Sequence, residues 1–225
     1  LIFALGGDDC VESHAGHDLV IGGGGDDIVY AGDGHDFVLG WSGNDEIHGG
    51  AGASYTVTAG PVVLEFDLGN LLIGQAGDDR IFGGEVSADR GDDGNVDEHG
   101  YTDIILGDSL LFGNPPGNDV IDGEMGIDFL FGQQGNDQIA NIEPGVFRIE
   151  GIDVPFGTFF FGGIGNDILV GSNTTVAGVF PLLGDFIFGN EGNDIVAANA
   201  GMDFVFGADG DDRIDAGRDM DFAFG

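Results

Sequence analysis

Aspartate recurs every nine residues over long stretches of the chain. A carboxylate oxygen is a hard ligand of the kind that Ca²⁺ prefers, and this ion takes about six to eight oxygens at roughly 2.3 to 2.6 Å. One carboxylate per repeat fills only part of such a shell, so backbone carbonyls of the same turn would have to supply the rest. The spacing therefore predicts a series of calcium sites. The clearest runs are Asp18, Asp27, Asp36 and Asp45, and then Asp185, Asp194, Asp203, Asp212 and Asp221.

The residues around each aspartate follow a fixed order, which the blocks 22–30, 31–39 and 40–48 show in register. Their consensus is G-G-x-G-[ND]-D-x-U-x, where U is apolar. Glycine lacks a Cβ, so it can take positive φ and let the turn close around an ion. The last three residues have strand character, and because strand side chains alternate, the middle one should face inward. The expected inward residues are Val11, Val20, Val29, Val38, Ile47, Ile81, Ile121, Leu130, Ile139, Leu169, Ile187, Val196, Val205 and Ile214.

The repeated block resembles the nonapeptide of the repeats-in-toxin (RTX) family, also called hemolysin-type calcium-binding repeats. More than half of the chain fits this pattern. The resemblance implies an all-β fold, a parallel β-roll, which is a right-handed β-solenoid with two parallel sheets and 18 residues per coil. It also implies two rows of calcium ions, about a dozen in all, one beside Asp27 and Asp45 and the other beside Asp18 and Asp36. The aspartates expected to bind metal are Asp9, Asp18, Asp27, Asp36, Asp45, Asp79, Asp103, Asp119, Asp128, Asp137, Asp167, Asp185, Asp194, Asp203, Asp212 and Asp221.

The nonapeptide order is lost in four stretches, at about 53–69, 85–100, 141–161 and 172–183. All six prolines lie outside the regular blocks, as expected if central strands need every backbone N–H group. We expect hairpin-like insertions at these breaks on a single calcium-binding roll over residues 1–225. Because the chain begins and ends on sequence that looks like a repeat strand, we also expect it to be a segment of a longer repeat protein.

Some blocks depart from the motif inside or beside these breaks. Asn70, Ser109 and, more loosely, Val176 stand where the aspartate would fall, and Asp103 precedes a shortened unit. Calcium at the first three positions would depend on carbonyl oxygens alone. We therefore expect the rows of ions to be interrupted in the middle of the chain.

The chain carries a formal charge of -36, with Asp+Glu 41 against Lys+Arg 5. Phosphate binding needs a basic face, so this balance excludes nucleic acid as a partner. An apolar share of 42% argues against a purely solvated, disordered chain. Calcium reconciles the two observations, since about a dozen ions would cancel about 24 charges and leave about -12. No apolar run is long enough for a transmembrane segment.

A simple magnitude indicates how strongly folding should depend on the ion. Extracellular calcium modules have Kd values of about 10⁻⁴ to 10⁻³ M, so millimolar calcium gives roughly 1 to 2 kcal/mol per site. About a dozen sites would supply on the order of 15 to 25 kcal/mol, more than the roughly 5 to 15 kcal/mol that stabilises a typical domain. We therefore expect a chain that is largely disordered at cytosolic calcium and folds outside the cell.

The outward strand positions are apolar on alternate strands, so one sheet should present a phenylalanine ladder and the other a milder face. Contiguous exposed apolar surface usually marks an interface. Three interpretations remain open: the insertions cover the ladder through Val146–Phe147, Phe159–Phe161 and Val179–Phe180, the chain binds itself or other surface proteins there, or the face binds a ligand. The predicted ladder residues are Phe129, Phe131, Phe186, Phe188, Phe204, Phe206, Phe222 and Phe224.

No catalytic constellation stands out in the sequence. His14 and His17 lack the H-E-x-x-H order and Ser42 lacks the G-x-S-x-G elbow, so we expect no enzymatic activity. The leading hypothesis is a secreted, extracellular, calcium-dependent structural or adhesive segment of a cell-surface filament, layer or matrix, which self-associates through the phenylalanine ladder. The alternative is the calcium-binding RTX region of a secreted enzyme or toxin whose catalytic domain lies outside this chain.

Overall fold

The chain forms a roll of two parallel β-sheets in a computed structural model. The structure describes residues 1–59, 62–84, 102–108, 116–141, 143–149, 152–173 and 183–225, with the backbone alone described at 53–59, 62–68, 143–149, 152–154 and 183. The strands of the first sheet are β1 (Ile2–Gly6), β3 (Leu19–Gly24), β5 (Phe37–Ser42), β8 (Val62–Ala76), β10 (Thr102–Asp108), β12 (Phe129–Gln134), β16 (Phe159–Ile164), β18 (Leu183–Glu191), β20 (Met202–Asp209) and β22 (Phe222–Phe224). The strands of the second sheet are β2 (Cys10–Glu12), β4 (Ile28–Tyr30), β6 (Glu46–His48), β9 (Arg80–Gly84), β11 (Val120–Gly126), β13 (Gln138–Ala140), β17 (Ile168–Val170), β19 (Ile195–Ala197) and β21 (Arg213–Asp215). The insertions contain β7 (Ala53–Ala59), β14 (Glu143–Ile149) and β15 (Ile152–Phe156).

Strands of neighbouring coils pair in parallel within each sheet. In the regular coils the pairing joins residues 18 positions apart, as Val20 with Val38 in the first sheet and Val29 with Ile47 in the second. The turns alternate between two edges of the roll, one leading from the first sheet to the second and the other leading back. The predicted all-β roll with two parallel sheets is therefore confirmed.

One aliphatic side chain from the middle of most strands fills the space between the sheets, and together these side chains form a single buried cluster. The predicted inward residues lie in this cluster, except that Ile214 is only partly buried. Leu72, Ile105 and Phe160 also belong to it, although the regular nonapeptide order did not identify them. Because the interior is this thin, the turns must provide much of the cohesion between coils.

Two of the predicted breaks form antiparallel hairpins. Strand β7 pairs with the first part of β8, from Ala53 with Leu68 to Ala59 with Val62. Strand β14 pairs with β15 and also with β8, where Arg148 lies opposite Glu65. The two hairpins therefore join into one antiparallel sheet, and the expectation of hairpin-like insertions is confirmed for these two breaks.

The third break ends earlier than predicted. Phe159–Phe161 belong to β16 of the first sheet, and Phe160 is fully buried in the core. The prediction that these residues lie in an insertion is therefore wrong, and the interpretation in which insertions cover the ladder loses this segment. The aspartate is missing there, but the strand register is kept, with Phe159 paired between Phe129 and Phe186. Residues 85–100, Ser109, Val176 and Val179–Phe180 lie outside the described residues, as do the side chains of Val146–Phe147.

Candidate metal centre

Two rows of polar residues follow the two edges of the roll. The regular row lies in the turns that lead from the first sheet to the second, and the mixed row lies in the turns that lead back. The regular row consists of Asp9, Asp27, Asp45, Asp79, Asp119, Asp137, Asp167, Asp194 and Asp212. The mixed row consists of Asp18, Asp36, Asn70, Asp103, Asp128, Thr158, Asp185, Asp203 and Asp221. Every aspartate predicted as a metal ligand lies in one of these rows.

A hydrogen-bond ladder joins the members of each row. The backbone N–H of each residue donates to a side-chain oxygen of the row residue in the next coil, as from Asp27 to Asp45 Oδ1 at 2.9 Å. The same bond joins the Asp119 N–H to Asp137 Oδ1 at 2.8 Å. Because this ladder fixes one oxygen of each carboxylate against the preceding coil, it also fixes the direction in which the second oxygen points.

The second carboxylate oxygen has no hydrogen-bond partner along the whole regular row. Each Oδ2 atom of this row is buried and unpartnered, and the same holds for Asp36, Asp103 and Asp203 of the mixed row. A buried carboxylate oxygen normally finds a donor or a cation, because leaving it bare in a dry site is costly. This series of unpartnered oxygens is therefore what a bound cation would satisfy.

From the turn of Asp27 onward, each regular turn begins with a glycine that makes room for the carboxylate. A Cβ built on Gly22 would stand 2.5 Å from Asp27 Oδ2 and 2.9 Å from the carbonyl oxygen of Gly40. The carboxylate and a carbonyl of the next coil therefore approach the same space. At the fourth position of its turn, Gly165 has a φ of 152°, and a Cβ there would overlap the carbonyl oxygen of Gly135. Only glycine fits both positions without displacing backbone oxygens of the adjacent coil.

Burial makes the carboxyl groups in the middle of the regular row hard to ionise in the absence of a cation. It raises the pKa of Asp79 and Asp119 to about 8 and that of Asp137 to about 7, against the lowering effect of the backbone N–H donors. Neighbouring aspartates of the same row raise these pKa values further. An opposite charge close to such a group restores its ionised form, and a divalent cation in the row would supply that charge.

A second ladder runs beside the regular row, on its solvent side. It is formed by the residue that precedes each row aspartate, and here the backbone N–H donates to the side chain of the previous coil, as from Asn136 to Asn118 Oδ1 at 2.9 Å. Its direction is therefore opposite to that of the row itself. The consensus [ND] reflects this ladder, because either side chain supplies the acceptor oxygen. Its members are Asp8, Asp26, Asn44, Asp78, Asn118, Asn136, Asn166, Asn193 and Asp211.

The mixed row departs from this uniform chemistry in the middle of the chain. Asn70 takes the place of an aspartate, and its Nδ2 donates to the carbonyl of Gly50 at 3.0 Å. Thr158 also takes the place of an aspartate. Asn141 donates to Asp128 Oδ2 at 2.6 Å. The sequence predicted the departure at Asn70, whereas Thr158 and Asn141 were not identified because they lie in a predicted insertion.

The donor set of the regular row fits calcium. Each coil offers one unpartnered carboxylate oxygen together with a carbonyl oxygen from the next coil, and hard oxygens of both kinds are the ligands that Ca²⁺ takes. Within the part of the chain that the structure describes, no three His, Cys, Asp or Glu side chains gather into a metal site. An ion in this row would therefore take oxygens from adjacent coils and from the backbone as well as from carboxylates.

Stacked glycine turns with one aspartate each define the class of protein, a repeat solenoid whose turns face their counterparts in the next coil. The family of RTX calcium-binding nonapeptide repeats matches residues 21–55, 67–85, 116–140, 159–173 and 185–223, in four copies. These ranges make up more than half of the chain, so the chain belongs to this family. Searches of curated proteins and of solved structures gave no match. Across the described ranges, no helix has the length and apolar character that crossing a membrane requires.

The outer face of the first sheet carries the predicted phenylalanine ladder as two columns of stacked rings. Neighbouring rings lie 4.7 to 5.2 Å apart and nearly parallel. Phe159 and Phe161 extend the eight predicted residues and connect Phe129 and Phe131 to the later coils. One column contains Phe129, Phe159, Phe186, Phe204 and Phe222, and the other contains Phe131, Phe161, Phe188, Phe206 and Phe224.

The two faces of the roll differ in polarity. The first sheet stays apolar beyond the ladder, through Phe37 and Leu39 of β5, whereas β6 of the second sheet presents Glu46 and His48. Phe224 at the last coil is 55% exposed. A continuous apolar face of this kind is the sort of surface that proteins use for association.

Proposed function

We propose that this chain is a secreted, extracellular structural or adhesive segment that folds when calcium binds its turns and then self-associates through the phenylalanine ladder. The observation that carries the calcium part is the regular row, whose Oδ2 atoms are all buried without a donor. Repulsion between like charges makes it unfavourable for a chain with a formal charge of -36 to bring these carboxylates together without a cation. Calcium supplies the positive charge and hard-ion coordination that this row lacks.

In each aspartate of the regular row, the two carboxylate oxygens would have different roles. Oδ1 holds the register between coils by accepting the backbone N–H of the preceding coil, as at Asp137. Oδ2, together with the carbonyl oxygen of the first turn glycine in the next coil, would hold the ion. Folding and binding are then one event, because each site needs adjacent coils in register before its oxygens converge.

A titration with calcium tests this part of the proposal. In calcium-depleted buffer we expect circular dichroism and small-angle scattering to report an expanded chain with little β structure, and millimolar calcium to produce a compact β-rich rod. Magnesium is the control, because it demands shorter bonds in strict octahedral geometry and keeps its water. Full β content in excess chelator would refute the proposal.

The adhesive part is supported by the ladder and by its absence from the opposite face. We expect the calcium-loaded chain to self-associate, and the pair of changes Phe204→Thr and Phe206→Thr to reduce that association in sedimentation and electron microscopy. The matched control is Ile195→Thr, since Ile195 is 48% exposed on the second sheet. A calcium-loaded monomer that binds a hydrophobic dye at the ladder would argue against self-association and favour the calcium-binding region of a larger enzyme or toxin.

A further inference from the structure

We infer that Asn141 and Ser172 act as side-chain clasps, which close two turns of the mixed row without an ion and so exclude calcium from them. This inference rests on the proposed function, because it assigns which turns of the roll take calcium and which do not. It predicts that the bound ions are fewer than the row positions, and that the central coils hold together at lower calcium than the terminal coils.

The first clasp is a buried network around Asp128. Asn141 Nδ2 donates to Asp128 Oδ2 at 2.6 Å and lies 2.7 Å from Thr158 Oγ1. The other oxygen, Asp128 Oδ1, accepts the backbone N–H of Asp103 at 2.9 Å. All three side chains of the network have 0% exposure. Both oxygens of Asp128 are therefore satisfied by protein donors, which is the condition that the regular row lacks.

The second clasp surrounds Asp185 in the same row. The backbone N–H of Ser172 donates to Asp185 Oδ2 at 2.6 Å, and the Ser172 hydroxyl lies 3.0 and 3.1 Å from the two carboxylate oxygens. Asp185 Oδ1 also accepts the N–H of Thr158 at 2.7 Å. Ser172 and Asp185 are both fully buried. This carboxylate is thus enclosed by donors that occupy the directions an ion would need.

The regular row of the same coils provides an internal comparison. Asp137 and Asp167 keep their Oδ2 atoms buried and unpartnered. Around Asp137 the first position is glycine both in its own turn, Gly132, and in the next coil's turn, Gly162, whereas the turn that follows Asp128 in the next coil begins with Asn141. One edge of these coils therefore needs a cation and the other does not. A calcium ion at Asp128 would have to displace the Asn141 amide and leave it buried without its acceptors, which is unfavourable.

Restoring the consensus at the first clasp tests the inference. In the double variant Asn141→Gly with Thr158→Asp, the donor is removed and the missing carboxylate is supplied, so we expect one more calcium ion per chain at saturation. Equilibrium dialysis with atomic emission counts the ions. The control is Asn136→Asp, which adds the same charge beside the regular row at a position where the consensus accepts either residue, and which should leave the count unchanged.

Hydrogen exchange supplies a second, independent readout on the full chain. Near the midpoint of calcium-induced folding, we expect β12, β13, β16 and β17 to exchange more slowly than β3, β4, β5 and β6. The variant Asn141→Ala with Ser172→Ala should abolish this difference. Ser13→Ala is the control, since the Ser13 hydroxyl donates to the carbonyl of Ala31 at 2.7 Å and not to a carboxylate.

The outcomes separate this inference from the proposed function. Two results would overturn the clasps while calcium-dependent folding stands. One is an unchanged ion count in the consensus variant, and the other is a uniform hydrogen-exchange rate along the wild-type chain. A wild-type chain that binds no calcium would instead overturn the proposed function itself.

Discussion

The regular and mixed rows have the same period and the same backbone ladder, but they differ around the second carboxylate oxygen. In the regular row this oxygen is unpartnered in every described coil. In the mixed row, Asn141 and Ser172 donate to it at Asp128 and Asp185. A single repeat geometry can therefore leave an oxygen free for a cation at every described turn of one edge and close individual turns of the other edge with protein donors.

The insertions follow the same division. The hairpins of β7 with β8 and of β14 with β15 leave the second sheet and return to the first, so both lie on the mixed-row edge. Residues 85–101 and 174–182 also separate a second-sheet strand from the next first-sheet strand, whereas 109–115 is the stretch left undescribed between strands on the regular-row side. Most of the extra length therefore lies on the edge where some turns are closed by side-chain donors.

The largest effect should come from filling the fourth turn position of the regular row. Gly165→Ala would place a Cβ on the carbonyl oxygen of Gly135 at a φ of 152°, so we expect a loss of about 3 kcal/mol or more in unfolding free energy. Urea unfolding in saturating calcium measures it. Gly7→Ala is the matched control, because Gly7 also has positive φ but nothing within 4 Å of its Cβ position, and it should lose only about 1 kcal/mol. Equal losses would show that stacking of the turns is not what restricts this position.

Replacing one aspartate in each row should distinguish stabilisation by bound calcium from stabilisation by hydrogen bonds within the protein. Asp137→Asn keeps the acceptor for the Asp119 N–H but removes the oxygen offered to the ion, so we expect a loss of about 1 to 2 kcal/mol that grows with calcium concentration. Asp185→Asn places an amide donor against the Ser172 donors, which should cost about 1 to 3 kcal/mol at any calcium concentration. Urea unfolding across a calcium series measures both, and parallel calcium dependence in the two variants would remove the distinction between the rows.

The pH dependence of the calcium-depleted chain should reflect the buried carboxyl groups of both rows, of which Asp79 and Asp119 belong to the regular row. Burial raises the pKa of Asp79 and Asp119 from 3.8 to about 8, so the folded form binds protons that the unfolded form releases. Stability of the metal-free roll should therefore fall as pH rises from about 4 to about 8. We expect more β structure at pH 5.5 than at pH 8 by circular dichroism without calcium. We also expect proton release on calcium binding, visible in calorimetry with buffers of different ionisation enthalpy.

Asp185 of the mixed row gives a contrast for this experiment. Burial raises the pKa of Asp185 only to about 6, because the N–H of Thr158 and the N–H and hydroxyl of Ser172 hold its charged form. Burial and the neighbouring charges of Asp137, Asp108 and Asp78 raise the pKa of Asp119, which has no donor at Oδ2, to about 8. Asp185→Asn should therefore change the pH profile less than Asp119→Asn, and the reverse order would contradict the assignment of the rows.

Much of this arrangement follows from sequence because it repeats. Glycine, aspartate and one apolar residue recur together, so the inward residues could be predicted from spacing, while the resemblance to the RTX family implied the β-roll and the division of aspartates between two rows. The ladder could be predicted for the same reason, since Phe204 and Phe222 stand one coil apart. A repeated signal identifies even a degenerate position such as Asn70, because its neighbours fix the register.

The parts that could not be predicted are those that occur once. Asn141 and Thr158 meet only because the hairpin between them returns the chain to register, and no local pattern shows that return. Phe160 enters the core with no aspartate before it to mark the strand. The second position of the regular turns was also missed, since Trp41, Gln133 and other non-glycine residues adopt positive φ there. A positive φ is locally unfavourable for a non-glycine residue, and it persists here because the stacked coils hold the backbone in place.

The smallest predicted effect concerns that second position. Ala208 has a φ of 79°, and Ala208→Gly should stabilise the calcium-loaded roll by about 0.5 to 1 kcal/mol, because glycine takes this conformation without a Cβ clash. Ala197→Gly, in β19 of the second sheet, is the control and should destabilise by a similar amount, since glycine weakens a strand. Urea unfolding in saturating calcium compares them. If Ala208→Gly also destabilises, the regular row carries no strain at this position.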